Sequence, residues 1–247
     1  MSIHTTLNYS PNFEKKKRKS NKIKFIILHY TGMKKESEAI QRLTNVFSKV
    51  SSHYFVKKNG EIVVMVPDLY EAWHAGVSAW KNFKSLNKYS IGIEISNPGH
   101  DHEYKKFSKK QIQSIKKICK FLIEKYKINK KNVLGHSDIA PNRKKDPGEK
   151  FPWKYLAKFG IGNWHSILQK TLIKNRRKKI NHTDRKIFFK NLSKIGYQIK
   201  SPTKSKTKEF SNLITTAFQR RFRQELINGI IDQECLLISK NLAKKLN

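Results

Sequence analysis

Short apolar runs rich in β-branched residues, interleaved with amphipathic stretches, constrain this chain more than any other feature. Ile23-Lys24-Phe25-Ile26-Ile27-Leu28 reads as a buried strand. Residues 36–50 carry helical spacing through Ile40, Leu43, Phe47 and Val50. Ser52 to Val66 reads as two strands joined at Asn59-Gly60, a strong hairpin signal because both residues tolerate positive φ. Ser90 to Ile95 alternates apolar and small residues as a further strand. Ser108 is placed to cap a long amphipathic helix with apolar residues at Ile112, Ile115, Ile118, Cys119, Leu122 and Ile123. Asn132-Val133-Leu134-Gly135 makes one more strand. Strands interleaved with helices predict an α/β (α+β) domain, a mixed central sheet flanked by helices, ending near residue 165.

The flanks read differently. Residues 1–22 are polar and hold the basic run Lys15-Lys16-Lys17-Arg18-Lys19, which predicts an exposed arm. The basic stretch 166–182 reads as a linker. Helical patches at 184–195, 208–226 and 233–246, broken by Gly196, Pro202 and Asn228-Gly229, predict a small three-helix bundle over 183–247.

With 53 Lys+Arg against 18 Asp+Glu, the formal charge is +35. Such an excess suits an anionic partner, and it equally suits a solvated surface, because the lysines are dispersed along the whole chain. No nucleic-acid motif accompanies the charge, so no nucleic-acid partner is expected. Cys119 and Cys235 lie far apart in apolar stretches and predict two buried thiols, neither a disulfide framework nor a thiolate metal site. No run reaches the ~20 apolar residues of a membrane span. The first twelve residues lack an apolar run, so no ordinary secretory signal is visible. A monomer is expected.

Three potential metal ligands sit at the ends of predicted elements: His29 after the first strand, His136 after Val133-Leu134, and Asp146 in the turn-rich Lys145-Asp146-Pro147-Gly148. If the two strands are neighbours and point the same way, both imidazoles emerge at one edge and the loop can bring Asp146 over them. Two histidines and a carboxylate, with a fourth position for water, are the open arrangement of a hydrolytic zinc site. Asp138 competes for the carboxylate position. Glu94 lies within an apolar strand, where burial raises a carboxyl toward the range of a general acid/base; alternation with Ile93 and Ile95 equally allows it to point outward.

Several ordered stretches resemble the zinc N-acetylmuramoyl-L-alanine amidases, whose fold is shared with animal peptidoglycan-recognition proteins. They are Ile27-Leu28-His29-Tyr30-Thr31, Ser52-His53-Tyr54-Phe55-Val56, Ala72-Trp73-His74-Ala75-Gly76, Ser90-Ile91-Gly92-Ile93-Glu94-Ile95, and the run from Gly135-His136-Ser137-Asp138-Ile139-Ala140-Pro141 through Asp146-Pro147-Gly148 to Phe151-Pro152-Trp153. They cover roughly residues 23–160 and make 23–165 the catalytic domain. Among subgroups the chain looks closest to bacterial enzymes acting on anhydro-muropeptides and intact wall fragments.

The resemblance implies one Zn2+ per chain held by His29, His136 and Asp146, with Asp138 as a turn residue or a support for a ligand imidazole. It implies that Glu94 activates water and then protonates the leaving amine. Lys144, flanked by Arg143 and Lys145, would stabilise the oxyanion. Tyr30, Trp73 and His74 are expected to line the cleft and bind substrate; Trp80 fits cleft or core. His53 is expected to be structural, and His4, His100, His102, His165 and His182 receive no role. In the tail, Gly196-Tyr197, Ala217-Phe218-Gln219-Arg220-Arg221-Phe222, Asn228-Gly229 and Ile231-Asp232 look like a small peptidoglycan-binding module. The expected function is hydrolysis of the amide between N-acetylmuramic acid, or its anhydro form, and L-alanine in peptidoglycan or muropeptides. The alternative is a non-catalytic recognition protein of the same fold. A wall-binding tail favours the cell envelope as the location, with the cytoplasm the alternative.

Overall fold

The computed structural model describes residues 4–199 and 207–246. Its strands are β1 (Thr6–Leu7), β2 (Phe13–Glu14), β3 (Phe25–Tyr30), β4 (Tyr54–Val56), β5 (Ile62–Val64), β6 (Glu71–Ala72), β7 (Ala79–Trp80), β8 (Phe83–Lys84), β9 (Ser90–Ile95) and β10 (Val133–Gly135). Its helices are α1 (Glu36–Thr44), α2 (Lys109–Tyr126), α3 (His136–Ile139), α4 (Trp153–Ala157), α5 (Gln169–Asn175), α6 (His182–Ile195), α7 (Thr207–Phe222) and α8 (Gln233–Lys244). The main sheet runs β1-β5-β4-β9-β3-β10. It is mixed, as expected: β4 and β5 are antiparallel across the Asn59-Gly60 turn, whereas β4, β9, β3 and β10 run parallel.

Strand alternation divides the side chains between two cores. From β3 and β9, Ile26, Leu28, Ile91 and Ile93 pack on Ile115, Ile118, Cys119 and Leu122 of α2. That helix begins where expected, with Ser108 and Gln111 forming a reciprocal capping box. On the opposite face, Phe25, Ile27 and Leu134 join Leu172, Phe188, Leu192, Ile214, Phe218 and Leu236 in one continuous cluster. Both cysteines are buried and free, as expected.

Three expectations need correction. The residues read as an exposed arm join the fold: β1 pairs with β5 and β2 with β6. The lysines at 15–17 and 19 are indeed exposed, but Arg18 turns inward to the carbonyls of Asp68 (2.9 Å) and Asn87 (2.8 Å). Two-residue strands are too short to leave a periodicity, so the charge pattern was the only legible signal there. The helix expected over 36–50 ends at Thr44, because the Asn45 side chain caps a following 3-10 turn by accepting from the Phe47 amide. The stretch 166–182 is no bare linker, since it contains α5 with Leu172 buried. Burial of each such aliphatic or aromatic side chain contributes about 1.5–3 kcal/mol, so the tail helices are held to the sheet by core packing. Pro202, expected to separate two of these helices, lies outside the described residues.

Candidate metal centre and active site

Strand register assembles the site. In the parallel pairing of β3 with β9, His29 lies opposite Glu94; in that of β3 with β10, Leu28 lies opposite Gly135, which places His136 next to His29. Side chains at matched positions of neighbouring strands share a face, so Glu94, His29 and His136 form a row at the carboxyl edge of the sheet. Asp146 closes the group from the following loop, which is tied to the His136 turn by Ser137 N donating to the Asp146 carbonyl (2.9 Å). His29 Nδ1 is 3.0 Å from His136 Nδ1 and 3.0 Å from Asp146 Oδ2, and His136 Nδ1 is 3.1 Å from the same oxygen. All three residues are buried.

Hydrogen-bond bookkeeping identifies what these atoms present. The Ser90 hydroxyl donates to the Leu86 carbonyl (2.6 Å), so its oxygen accepts from His74 Nε2 (3.2 Å). His74 Nδ1 therefore carries a lone pair and accepts from His29 Nε2 (3.0 Å), which leaves His29 Nδ1 unprotonated. His136 Nε2 faces the Ala75 carbonyl (3.2 Å), an acceptor only, so its proton resides there and its Nδ1 also offers a lone pair. Two nitrogen lone pairs and a carboxylate oxygen thus converge within about 3 Å of one another, an arrangement that repels itself unless a cation lies among them. Tetrahedral bonds of about 2.0–2.1 Å set ligand atoms roughly 3.3 Å apart, so the trio fits a metal ion with one position open.

The electrostatics agree. Burial and the neighbouring His136 lower the His29 pKa to about 4, although the Asp146 carboxylate favours the protonated ring, so the ring is a neutral ligand at neutral pH. Burial disfavours a charged Asp146; positive charge or an N–H on the facing His136 and His29 rings outweighs this and holds the carboxyl below its ordinary range, a part that falls to a cation when both nitrogens present lone pairs. Glu94 behaves oppositely: burial, reinforced by the charge of Asp146, raises its carboxyl well above the usual range, with Lys144 and Arg42 opposing. Its Oε2 has no hydrogen-bond partner.

Glu94, Lys144, Tyr30 and Trp73 line, with the metal-binding trio, a cavity of about 450 Å³. Arg143, Lys144 and Lys145 all line the cavity; Arg143 is held by the carbonyls of Ala75 and Val77 and Lys145 lies 4.0 Å from Asp101, whereas the half-buried Lys144 side chain makes no hydrogen bond among the described residues. His74 lines the same cavity, and His29 and Ser90 engage both its ring nitrogens, so it sets the His29 tautomer. Asp138 accepts from the Gly135 amide (2.8 Å) and not from an imidazole, which makes it a turn residue. Trp80 is core, against Tyr197. His53 is buried and structural, accepting from the Gly92 amide (2.9 Å). His100, given no role from sequence, links the Tyr30 hydroxyl (2.8 Å) to Glu149 (3.0 Å); a loop histidine leaves no pattern that would reveal this.

Gly92 shows how tightly the His74 ring is held, because a Cβ there would lie 2.4 Å from that ring. Gly92→Ala is expected to destabilise the fold by about 1–3 kcal/mol through overpacking. It should also lower activity through His29; urea unfolding together with amide-cleavage assays checks both effects.

Histidines at the carboxyl ends of two neighbouring parallel strands, a loop aspartate and a half-buried glutamate beside them have the make-up of a metal-dependent hydrolase site. Residues 19–149 match the N-acetylmuramoyl-L-alanine amidase family, and the chain belongs to that family. The N-acetylmuramoyl-L-alanine amidase AmiD of Escherichia coli (strain K12) is 36% identical over 236 residues, covering 91% of this chain and 83% of that protein. The solved complex of E. coli AmiD with the substrate anhydro-N-acetylmuramic acid-L-Ala-D-gamma-Glu-L-Lys matches with a TM-score of 0.78 at 35% identity, covering 91% of this chain and 90% of that one. AmpDh3 from Pseudomonas aeruginosa, in complex with anhydromuramic pentapeptide, matches with a TM-score of 0.78 at 30% identity over 99% of this chain and 96% of that one.

Proposed function

We propose that this amidase cleaves the amide between the lactyl group of N-acetylmuramic acid, including its anhydro form, and L-alanine in muropeptides, using Zn2+ held by His29, His136 and Asp146. The observation that carries the reading is the row formed by Glu94 on β9, His29 on β3 and His136 directly after β10, closed by Asp146. Support for the anhydro-muropeptide comes from the two relatives solved with such ligands.

Zinc in such a site supplies Lewis acidity, acidifying water and polarising the carbonyl under attack. Glu94 takes a proton from the attacking water and returns it to the departing alanine nitrogen, a shuttle suited by its raised pKa. The Lys144 ammonium faces the negative charge that develops on the carbonyl oxygen. Tyr30 and Trp73 present aromatic faces to the cleft. Arg42, which also lines the cavity, suits the carboxylates of a stem peptide.

Mass spectrometry of anhydro-muropeptides incubated with the zinc-loaded protein tests this reading. The expected products are an anhydro-sugar with a free lactyl acid and a peptide with a free alanine amine, formed reversibly with chelator removal and zinc return. Intact muropeptide after incubation with fully zinc-loaded protein would refute it.

A further inference from the structure

The tail motif Ala217-Phe218-Gln219-Arg220-Arg221-Phe222, read from sequence as the mark of a wall-binding module, does not present its arginines to a free surface. Arg221 is buried at 3% exposure. Its guanidinium pairs with Asp138 Oδ2, donates to the Val133 carbonyl (2.9 Å) and lies 4.1 Å over the Trp153 ring. Asp138 Oδ1 accepts the Tyr197 hydroxyl (2.6 Å), a second group from the tail, while Oδ2 also receives the Gly135 amide. Val133, Gly135 and Asp138 bracket His136. The preceding residue, Arg220, reaches the other half of the site: its Nε is 3.6 Å from Glu149, three residues beyond Asp146, and Glu149 continues through His100 to Tyr30.

From this we infer that consecutive arginines of α7 are positioning residues for the metal centre, Arg221 fastening the turn that carries His136 and Arg220 the loop that carries Asp146. The inference rests on the metal reading of the trio. A buried ion pair recovers little net stability after its desolvation cost, so the pair is better explained by the geometry it imposes. Only a planar fork can satisfy Asp138 and the Val133 carbonyl together while stacking on Trp153, and a lysine ammonium cannot reproduce that set. Groups that orient ligand-bearing segments typically govern metal affinity by 10–100-fold. The tail helices thereby become part of the active site without touching substrate.

The test uses the full chain loaded with Co2+, whose visible spectrum reports ligand geometry, and Zn2+ affinity from chelator competition. Arg221→Met is expected to weaken Zn2+ binding roughly 10–100-fold and alter the cobalt spectrum. Arg221→Lys should restore neither fully. Leu236→Ala, which loosens the tail core without touching either arginine, should leave affinity and spectrum of the folded protein unchanged. Asp138→Asn combined with Arg221→Met should cost no more than the larger single effect, because both act through one turn. If Arg221→Met fails to fold, Arg220→Gln, at the less buried of the two arginines, carries the same affinity and spectral test on the Asp146 side. Wild-type affinity and spectrum in a folded Arg221→Met protein, or in Arg220→Gln where that serves, overturn the proposal alone. A wild type that binds no metal overturns it together with the reading on which it rests.

Discussion

Glu94→Gln is expected to lower kcat for muropeptide cleavage by about 10³-fold, within the usual range for loss of a general acid/base, while zinc content stays at the wild-type level. The amide keeps the shape of the side chain and the hydrogen-bonding bulk at the cavity wall but cannot take a proton from water. The same change removes a buried carboxylate whose Oε2 lacks a partner and which is repelled by Asp146. A neutral amide escapes both the burial of charge and that repulsion, so the metal-free variant should melt at a higher temperature than the metal-free wild type. Loss of activity with a gain in stability is the pattern of a residue held for chemistry. Steady-state kinetics, metal analysis and calorimetry measure the three quantities. A variant retaining a tenth of wild-type kcat would remove Glu94 from the mechanism.

Asp146→Ala is expected to abolish cleavage and to weaken zinc binding by more than about 100-fold, beyond the range seen when only supporting residues are changed. Asp146 supplies the sole formal negative charge of the trio, and its Oδ2 lies within about 3 Å of both imidazole nitrogens. Without it, two neutral nitrogens remain, too few to hold zinc against solvent. His136→Ala should behave alike, since it also leaves two donors. Chelator competition gives the affinity and muropeptide mass spectrometry the activity. Full zinc occupancy in Asp146→Ala would show that the aspartate is not a ligand.

The site was legible to the extent that strand alternation and strand ends are local. His29 and Glu94 sit where one face of an apolar strand reaches its edge, and the run around His136 and Asp146 matched its family in order and composition. Other roles depended on contacts that local pattern does not encode. The family motif placed His74 in the cleft, which it lines, but only the approach of its ring to Gly92 and His29 shows that it sets a tautomer. Arg18 looked like one more cation in a basic run, yet it alone turns inward.

The sequence by itself determined the longer strands and helices, their order, the capping of α2 and the candidate ligand set, because these follow from side-chain periodicity, cap chemistry and a specific ordered motif. The tertiary structure alone decided that β10 lies parallel beside β3, that the N-terminal residues enter the fold, and that the tail helices share the core and pair, through Arg221 and Asp138, with the turn that carries His136. Those outcomes depend on pairings across a hundred residues or on single buried ion pairs. Such contacts become favourable only once the rest of the chain has excluded water from them.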